Sequence, residues 1–336
     1  MSDLAETLLV QIALLQEPVL AKRFGVAYLS EGPRAGQPSR YALLGLGKLG
    51  GREMSYHSDL DLILVYEGDG RTGPPPGSGR FDRFELTDNF HFYTELAQRI
   101  IRAMSFMGPQ GKLYQVDMRL RPTGKSGSLV CPLAEFRHYY QDGAAQLWER
   151  QALTRARIVH GDSAFGQEVI QAVRAGAFGL PWRPELADAI VDMRGRLEAS
   201  RSDRDFKRGF GGIVDVEFLV QLFQIKYGNE VVALRVQNTW AALEALRQAG
   251  LLDPEQSQVL RDGYDFLRLV ESRLRILQNV SIDELPENAL DLEKLARRVG
   301  CGNGPAGTAV TEFLEKLEYH TTQVRELLLE LARRER

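Results

Sequence analysis

One stretch, residues 41–66, constrains this chain more than any other. An apolar run enters a glycine-rich turn at 45–51, and a second apolar run then begins with Asp59 and Asp61. Side chains alternate between the two faces of a strand, so these aspartates point the same way. The pattern predicts a strand, a phosphate-sized turn and a second strand. Its two carboxylates are suited to hold a hard divalent cation over a triphosphate.

Composition excludes several classes of protein. A net charge of −3 over 336 residues argues against a general nucleic-acid binder, which carries a basic excess. Cys131 and Cys301 lie too far apart for a disulfide framework or a zinc site, and are expected to be reduced thiols. No apolar stretch is expected to approach the roughly 20 residues of a membrane span, and the N-terminus lacks the basic region of a signal peptide. We therefore expect a cytoplasmic protein that binds neither nucleic acid nor membrane.

Hydrophobic periodicity predicts an α+β protein. An amphipathic helix at 3–23 ends at Gly25, and the chain after Pro132 is almost entirely helical. The predicted later helices span 132–141, 144–158, 163–176, 184–201, 213–227, 236–249, 254–279, 289–299 and 307–334. We predict an N-terminal helix (1–24), a domain with a small mixed sheet (25–160) and a helical bundle (161–336).

The segment between the second strand and Pro132 carries four further predictions. Residues 67–79 are rich in glycine and proline and are expected to form a mobile connection. A helix is predicted over 83–107. Residues 113–121 alternate between apolar and polar side chains, which is typical of a strand, and 128–131 form another short strand.

A third carboxylate, Asp117, lies on the polar face of the strand predicted at 113–121. Three carboxylates from two neighbouring strands form the minimal cage for magnesium ions that also bind nucleotide phosphates. Arg119 and Arg121 share that face and are suited to neutralise phosphate oxygens. Ion pairing between these arginines and Asp117 is the simpler alternative. The chemistry that fits the first interpretation is nucleotidyl transfer from a nucleoside triphosphate.

The glycine turn also matches the dinucleotide-binding pattern G-x-G-x-x-G over 45–50, with Glu67 where a ribose-binding acid would lie. A dinucleotide-binding unit needs a full helix after the turn, but only eight residues separate Gly50 from Asp59. It also needs further parallel strands, which the helical remainder does not offer. This alternative is therefore disfavoured.

Other charged residues remain open candidates. The helix predicted at 144–158 carries Trp148, Glu149, Arg150, Arg155 and Arg157, and Arg150 and Arg157 share one of its faces. These residues either contact phosphate or a target protein or form a solvated basic face. Asp215 and Glu217 fall in the first turns of an apolar helix, where the helix dipole alone favours acids. Catalytic and structural roles are both open for these two. Lys207 and Arg208 precede them and are further phosphate-binding candidates.

The glycine turn, the Ser58-Asp59-x-Asp61 motif and the later Asp117 resemble the polymerase-β-type nucleotidyltransferase superfamily. More narrowly, several motifs are similar to the glutamine synthetase adenylyltransferase family. They are Gly47-Lys-Leu-Gly-Gly51-x-Glu53, Ser58-Asp-Leu-Asp-Leu62, Asp117-Met-Arg-Leu-Arg-Pro122, Trp148-Glu-Arg-Gln-Ala-Leu-Thr-Arg-Ala-Arg157 and Gly211-Gly-Ile-Val-Asp215-Val-Glu-Phe218.

The resemblance implies magnesium-dependent transfer of AMP from ATP to a tyrosine hydroxyl of glutamine synthetase. It implies the nitrogen-signalling protein PII as a further partner. It assigns metal binding and catalysis to Asp59, Asp61 and Asp117. The candidate nucleotide- and phosphate-binding residues are Gly47, Lys48, Gly50, Gly51, Ser58, Arg119 and Arg121.

One departure from the family limits this assignment. Members usually carry two such units, one adding AMP and one removing it by phosphorolysis to ADP, and this chain looks like one half. The motifs around Tyr56 and Gly212 favour the adding half. The alternatives are the removing half, a superfamily enzyme acting on nucleic acid or a small antibiotic, and a regulatory module whose catalytic site has decayed.

Overall fold

A computed structural model describes residues 1–78, 83–109, 111–302 and 308–336. The chain divides into two compact units. The first contains Met1–Met54 and Ser58–Gly179, and the second contains Ser55–His57 and Leu180–Arg336. The first unit holds the strands and the second is helical, so the predicted α+β class is confirmed.

The first unit is built on a mixed sheet. Its strands, in chain order, are β1 (Val26–Leu29), β2 (Tyr41–Gly45), β3 (Leu60–Tyr66), β4 (Gly70–Gly73), β5 (Val116–Asp117), β6 (Val130–Pro132) and β7 (Arg157–Gly161). The main sheet has the order β5-β3-β2-β7. Strand β3 is antiparallel to β2 and parallel to both β5 and β6, while β1 and β4 form a separate antiparallel pair.

Helices cover both faces of this sheet. They are α1 (Ser2–Phe24), α2 (Gly47–Gly50), α3 (Asn89–Ser105), α4 (Leu133–Gln141), α5 (Leu147–Leu153) and α6 (Ser163–Phe178). Leu62 and Leu64 of β3 pack with α1 and α3, whereas Ile63 and Val65 pack with α4 and α6. Helix α6 thus belongs to this core, and the first unit extends to Gly179, whereas the sequence placed the boundary at 160.

Helix α1 buries Ala5, Leu9, Ala13 and Leu20 in the core of the first unit. It is 23 residues long and, by length and composition alone, apolar enough to cross a membrane. The expectation that no stretch approaches that length was therefore wrong for this helix. Its end at Phe24, followed by Gly25 with φ of 81°, agrees with the predicted stop.

Three local predictions in the first unit were wrong. Residues 113–121 form a strand only at Val116–Asp117, and Arg119 lies in the turn that follows. The helix predicted at 144–158 ends at Leu153, and the chain then enters β7, whose partner is β2. The predicted mobile connection contains β4, which pairs with β1; Gly79, at its end, lies outside the described residues.

The α3 helix starts later than predicted. The predicted start lay at Arg83, but the helix begins at Asn89, where the Asp88 side chain accepts a hydrogen bond from the His91 backbone N–H. Aspartate is among the best residues for satisfying the exposed N–H groups of a first helical turn. The predicted strand at 128–131 is β6, shifted to Val130–Pro132.

The second unit is an assembly of helices around α8 (Ile213–Tyr227). The others are α7 (Glu185–Ala199), α9 (Thr239–Gln248), α10 (Pro254–Gln278), α11 (Ala289–Arg298) and α12 (Thr308–Arg334). Helix α8 contacts α7, α9, α10 and α12, which explains why it is apolar around most of its circumference. The predicted helices agree with these within three residues at each end; residue 307, the predicted start of the last, lies outside the described part.

Candidate functional site

Two of the candidate aspartates lie side by side on neighbouring strands. Strands β3 and β5 pair in parallel, with Leu60 opposite Val116 and Asp61 opposite Asp117. Leu60 and Val116 both point into the core beneath α1 and α3. Because side chains alternate along a strand, Asp61 and Asp117 both point to the opposite face. The structure therefore brings together two carboxylates that are 56 positions apart in the sequence.

Electrostatics place Asp59 in the same cluster. Burial, together with the charges of Asp117 and Asp59, raises the pKa of Asp61 to about 7, although the charges of Arg119 and Arg155 oppose the rise. Like charges that disfavour ionisation of one another must lie close together. In the absence of a cation this cluster therefore carries unfavourable repulsion, which a bound cation would relieve.

Asp117 is turned towards Arg119 in this structure. The Arg119 Nε lies 2.9 Å from Asp117 Oδ1 and 2.7 Å from Oδ2, and the Arg119 backbone N–H donates to Oδ1 at 2.8 Å. Burial would raise the pKa of Asp117, but the hydrogen bonds from Arg119 outweigh it and hold the pKa below its usual value. Among the described residues, no three His, Cys, Asp or Glu side chains form a ready metal-binding group.

The glycine turn lies directly against Asp61. Gly47 has φ of +51°, and a Cβ built on it would lie 2.2 Å from Asp61 Oδ2. The adjacent Leu46 backbone N–H donates to the Asp61 carbonyl at 2.9 Å. Only glycine combines this backbone conformation with so close an approach. The turn and the carboxylates are therefore parts of one site.

Replacing Gly47 by alanine is expected to abolish the activity of this site and to destabilise the first unit. The new methyl group would displace the Asp61 carboxylate, and the left-handed conformation would cost about 1–2 kcal/mol. Thermal melting and nucleotide binding would measure both effects.

Gly195→Ala is the matched control. Gly195 lies within helix α7 and a Cβ there meets nothing within 4 Å. The substitution should stabilise the protein by roughly 0.5–1 kcal/mol, because alanine is the better helix former. Normal nucleotide binding by Gly47→Ala would contradict the assignment of the turn.

The remaining candidates of the first unit lie in different surroundings. Ser58 is buried directly before Asp59, and Lys48 lies in α2. The Arg121 guanidinium donates to the carbonyls of Met118, Gly127 and Ser128 at 2.7–3.0 Å. Arg121 therefore holds the 118–128 turn together in this structure and does not point at the carboxylate cluster.

Two of the candidate arginines lie behind the glycine turn, which the sequence did not predict. Arg155 and Arg157 donate to backbone carbonyls of the turn, although both were expected on a helix surface. Arg150, in contrast, is buried and donates to the carbonyls of Tyr140 and Gly176. The two roles predicted for Arg150, in a solvated helix face or in a phosphate contact, therefore do not describe it. A signal was present in the two β-branched residues at 158 and 159, which favour a strand.

The dinucleotide alternative is excluded by the sheet. Strands β2 and β3 on either side of the turn are antiparallel, whereas that motif joins parallel strands. Glu67 does not face a ligand site, because its carboxylate accepts hydrogen bonds from Arg34 and Arg40 at 2.5–2.9 Å.

In the second unit, Asp215 is fully buried and its carboxylate bonds to the guanidinium groups of Arg194 and Arg325. Lys207 pairs with Asp283 at 2.9 Å. Glu217 accepts a hydrogen bond from the Tyr264 hydroxyl at 3.3 Å. These contacts support structural roles for Asp215 and Lys207.

Comparisons with known proteins agree with this geometry. Residues 1–172 match the family model described as glutamate-ammonia ligase adenylyltransferase, and residues 187–332 match GlnD PII-uridylyltransferase. Two similar relatives are bifunctional glutamine synthetase adenylyltransferase/adenylyl-removing enzymes. One, from Aromatoleum aromaticum, is 35% identical over 96% of this chain and 33% of its own length. The other, from Pseudomonas aeruginosa, is 33% identical over 87% of this chain and 29% of its own length.

This chain thus spans about a third of the curated relatives that it matches. The family model covers slightly more than half of the chain, 172 of its 336 residues, and includes the glycine turn and all three aspartates. The chain therefore belongs to the glutamate-ammonia ligase adenylyltransferase family.

Proposed function

We propose that the first unit transfers AMP from ATP to a tyrosine hydroxyl of glutamine synthetase and releases pyrophosphate. The observation that carries this proposal is the register of β3 and β5, which aligns Asp61 with Asp117 beside the glycine turn. Carboxylates so arranged suit a site for a metal-bound triphosphate. Family membership makes adenylylation the favoured form of nucleotidyl transfer.

Magnesium is the metal that fits these donors. Asp59, Asp61 and Asp117 offer only oxygen ligands, which magnesium prefers over nitrogen or sulfur. Burial and, after it, repulsion from Asp117 and Asp59 raise the pKa of Asp61, so a divalent cation would be favoured there electrostatically. When bound, the cation supplies charge stabilisation for the attacking and leaving oxygens.

The residues of the chain would bind and orient the substrates. Gly47, Gly50 and Gly51 would let the triphosphate approach the backbone, with Lys48 and Ser58 as additional polar contacts. Arg119 would leave Asp117 when the metal and nucleotide arrive, and would then pair with a phosphate oxygen. A guanidinium suits this exchange because carboxylate and phosphate accept the same pair of parallel hydrogen bonds. Arg121 could bind a phosphate oxygen only after breaking its hydrogen bonds to the backbone carbonyls.

A second candidate reaction at the same site removes AMP from glutamine synthetase. Inorganic phosphate would be the attacking group, and the product would be ADP. The names of both relatives include both activities, so this second candidate remains open. In either direction we place the protein in the cytoplasm and propose the PII signalling protein as a further partner. The free, buried Cys131 and Cys301 agree with a reducing compartment.

A labelling experiment tests the proposal. The purified chain is incubated with magnesium, ATP labelled at the α-phosphate, and unmodified glutamine synthetase. We expect label on glutamine synthetase and none with Asp59→Asn. Asp69→Asn, at an exposed aspartate of the same unit, is the matched control and should label normally.

A parallel reaction with adenylylated glutamine synthetase and phosphate identifies the direction. Release of ADP without labelling of the unmodified target would assign the removing activity. A third outcome is that neither reaction occurs but the chain alters the activity of a full-length bifunctional relative. The proposal is then wrong, and the chain has a regulatory role.

A further inference from the structure

The carbonyl groups of the glycine turn are held from behind by two arginines. Arg155 Nε donates to the Gly47 carbonyl at 3.1 Å. Arg157 Nε donates to the Gly50 carbonyl at 3.1 Å, and its Nη2 to that of Leu49 at 3.2 Å. Both arginines come from the short segment that leads from α5 into β7. The turn thus has a second layer of side chains beneath it.

Arg155 is paired with a carboxylate that is inaccessible to solvent. Its Nη2 lies 2.5 Å from Glu53 Oε2, and the exposed fractions of the two side chains are 8% and 0%. Glu53 follows the turn directly, and its backbone N–H donates to the Lys48 carbonyl at 2.8 Å. One end of this ion pair is therefore joined to the turn through the backbone and the other through the Arg155 side chain.

A buried ion pair is a poor way to gain stability. Removing both charges from water costs several kcal/mol per ion, and apolar residues of similar volume often stabilise a protein equally well. A fixed geometry at a site is a better reason for such a pair. Arg157 forms a more exposed version of the same arrangement, since its Nη2 lies 2.6 Å from Glu6 Oε2 of α1.

The packing between the turn and this segment leaves little freedom. A Cβ on Gly50 would lie 1.9 Å from the Arg155 carbonyl oxygen, and one on Gly47 would lie 2.2 Å from Asp61 Oδ2. The turn is thus enclosed between the Arg155 backbone on one side and the Asp61 carboxylate on the other. A shift of the turn by a fraction of an ångström would change the space beside Asp61, and misplacement by about 1 Å can cost 10²-fold in rate.

We infer that Arg155 and Glu53 form a brace that positions the glycine turn against Asp61. Arg155 is a positioning residue that acts through the Gly47 carbonyl. The inference rests on the proposed function for its catalytic consequence, but its structural consequence is measurable without that function. Loss of the brace should weaken Mg–ATP binding by about 10–100-fold, the usual effect of removing a partner that orients a site residue.

The test compares variants that differ in the charge that they leave buried. Arg155→Lys keeps the charge but cannot form the two contacts of the guanidinium. Glu53→Gln removes one charge, and the double variant Glu53→Gln/Arg155→Gln leaves neither charge unpaired. The matched control is Arg150→Gln, a buried arginine of the preceding helix that bonds to Tyr140 and Gly176.

Three measurements are made on each variant. They are the melting temperature, the dissociation constant for Mg–ATP by calorimetry, and hydrogen exchange of the amides of residues 46–54 in the nucleotide-free protein. We expect faster exchange over 46–54 and weaker Mg–ATP binding in all three brace variants. Arg150→Gln should lower the melting temperature without either change.

The outcomes separate the brace from the proposed function. Brace variants that bind Mg–ATP as tightly as the wild type, with unchanged exchange over 46–54, would overturn the inference whatever their melting temperature. If the wild type binds Mg–ATP but never labels glutamine synthetase, the proposed function is wrong. Mg–ATP binding and hydrogen exchange over 46–54 then still test whether the brace positions the turn. If the wild type does not bind Mg–ATP, exchange alone decides it.

Discussion

Asp61→Asn is expected to abolish AMP transfer and, at the same time, to stabilise the cation-free protein. Loss of a carboxylate ligand removes several kcal/mol of charge stabilisation at the reacting phosphate. Since each 1.36 kcal/mol is tenfold in rate, activity should fall by about 10³-fold. The cation-free protein should become more stable because burial, and then the like charges of Asp117 and Asp59, disfavour the Asp61 carboxylate.

The pH dependence of that stabilisation follows from the pKa values. Asp61 has a pKa of about 7 in the folded chain, against 3.8 as its ordinary value, so the folded state binds the proton more tightly. The unfavourable contribution is absent below about pH 4, builds up as the pH rises to about 7, and is complete above it. The melting temperature of Asp61→Asn should therefore exceed that of the wild type at pH 8, and the difference should shrink towards pH 4.

Magnesium titrations would check the interpretation. Added Mg²⁺ should stabilise the wild type and should have a smaller effect on Asp61→Asn, since one ligand is missing. An Asp61→Asn protein that melts below the wild type at pH 8 without magnesium would show that the carboxylates do not repel one another as inferred.

The largest loss of stability is expected from Asp215→Asn in the second unit. This carboxylate is fully buried between Arg194, on α7, and Arg325, on α12. Burial raises the pKa of Asp215 and so opposes its charge, but asparagine would leave the guanidinium groups of Arg194 and Arg325 without their negative partner. Breaking a buried pair in this way costs about 3–5 kcal/mol and decides the sign of the effect. For a unit of this size that corresponds to a fall of roughly 10 °C in melting temperature.

Glu244→Gln is the control for an exposed ion pair. Glu244 pairs with Arg247 at 2.6 Å on the surface of α9. Its removal should leave the melting temperature unchanged within error, because solvent screens such pairs. Equal effects of the two substitutions in urea unfolding would contradict a structural role for Asp215.

Local signals determined much of the helical unit. Helix α8 spans the predicted residues 213–227, and α10 begins at Pro254 with Asp253 and Gln256 forming a capping box. These signals operate within a few residues of one another, so they can be read directly from the chain. Strand alternation is a local signal of the same kind, and it predicts that Asp61 of β3 and Asp59, directly before β3, point to the same side.

Predictions failed where a distant strand supplies the hydrogen-bond partners. The β4 segment is glycine-rich, yet it becomes a strand because β1 offers it a backbone partner. Arg157 and Ile158, predicted as the end of a helix, instead begin β7 because β2 offers an open edge. Neither partner lies close in the sequence, and pairing of this kind overrides local propensity.

The sequence by itself determined which residues are available to the site: a glycine turn, a pair of aspartates on one face and a third aspartate followed by an arginine. Only the tertiary structure decided that Asp117 lies opposite Asp61 and that Arg155 and Glu53 lie beneath the turn. The physical reason is that strand register and the burial of a charge depend on contacts between segments that are about 50 to 100 residues apart. No local pattern encodes these contacts.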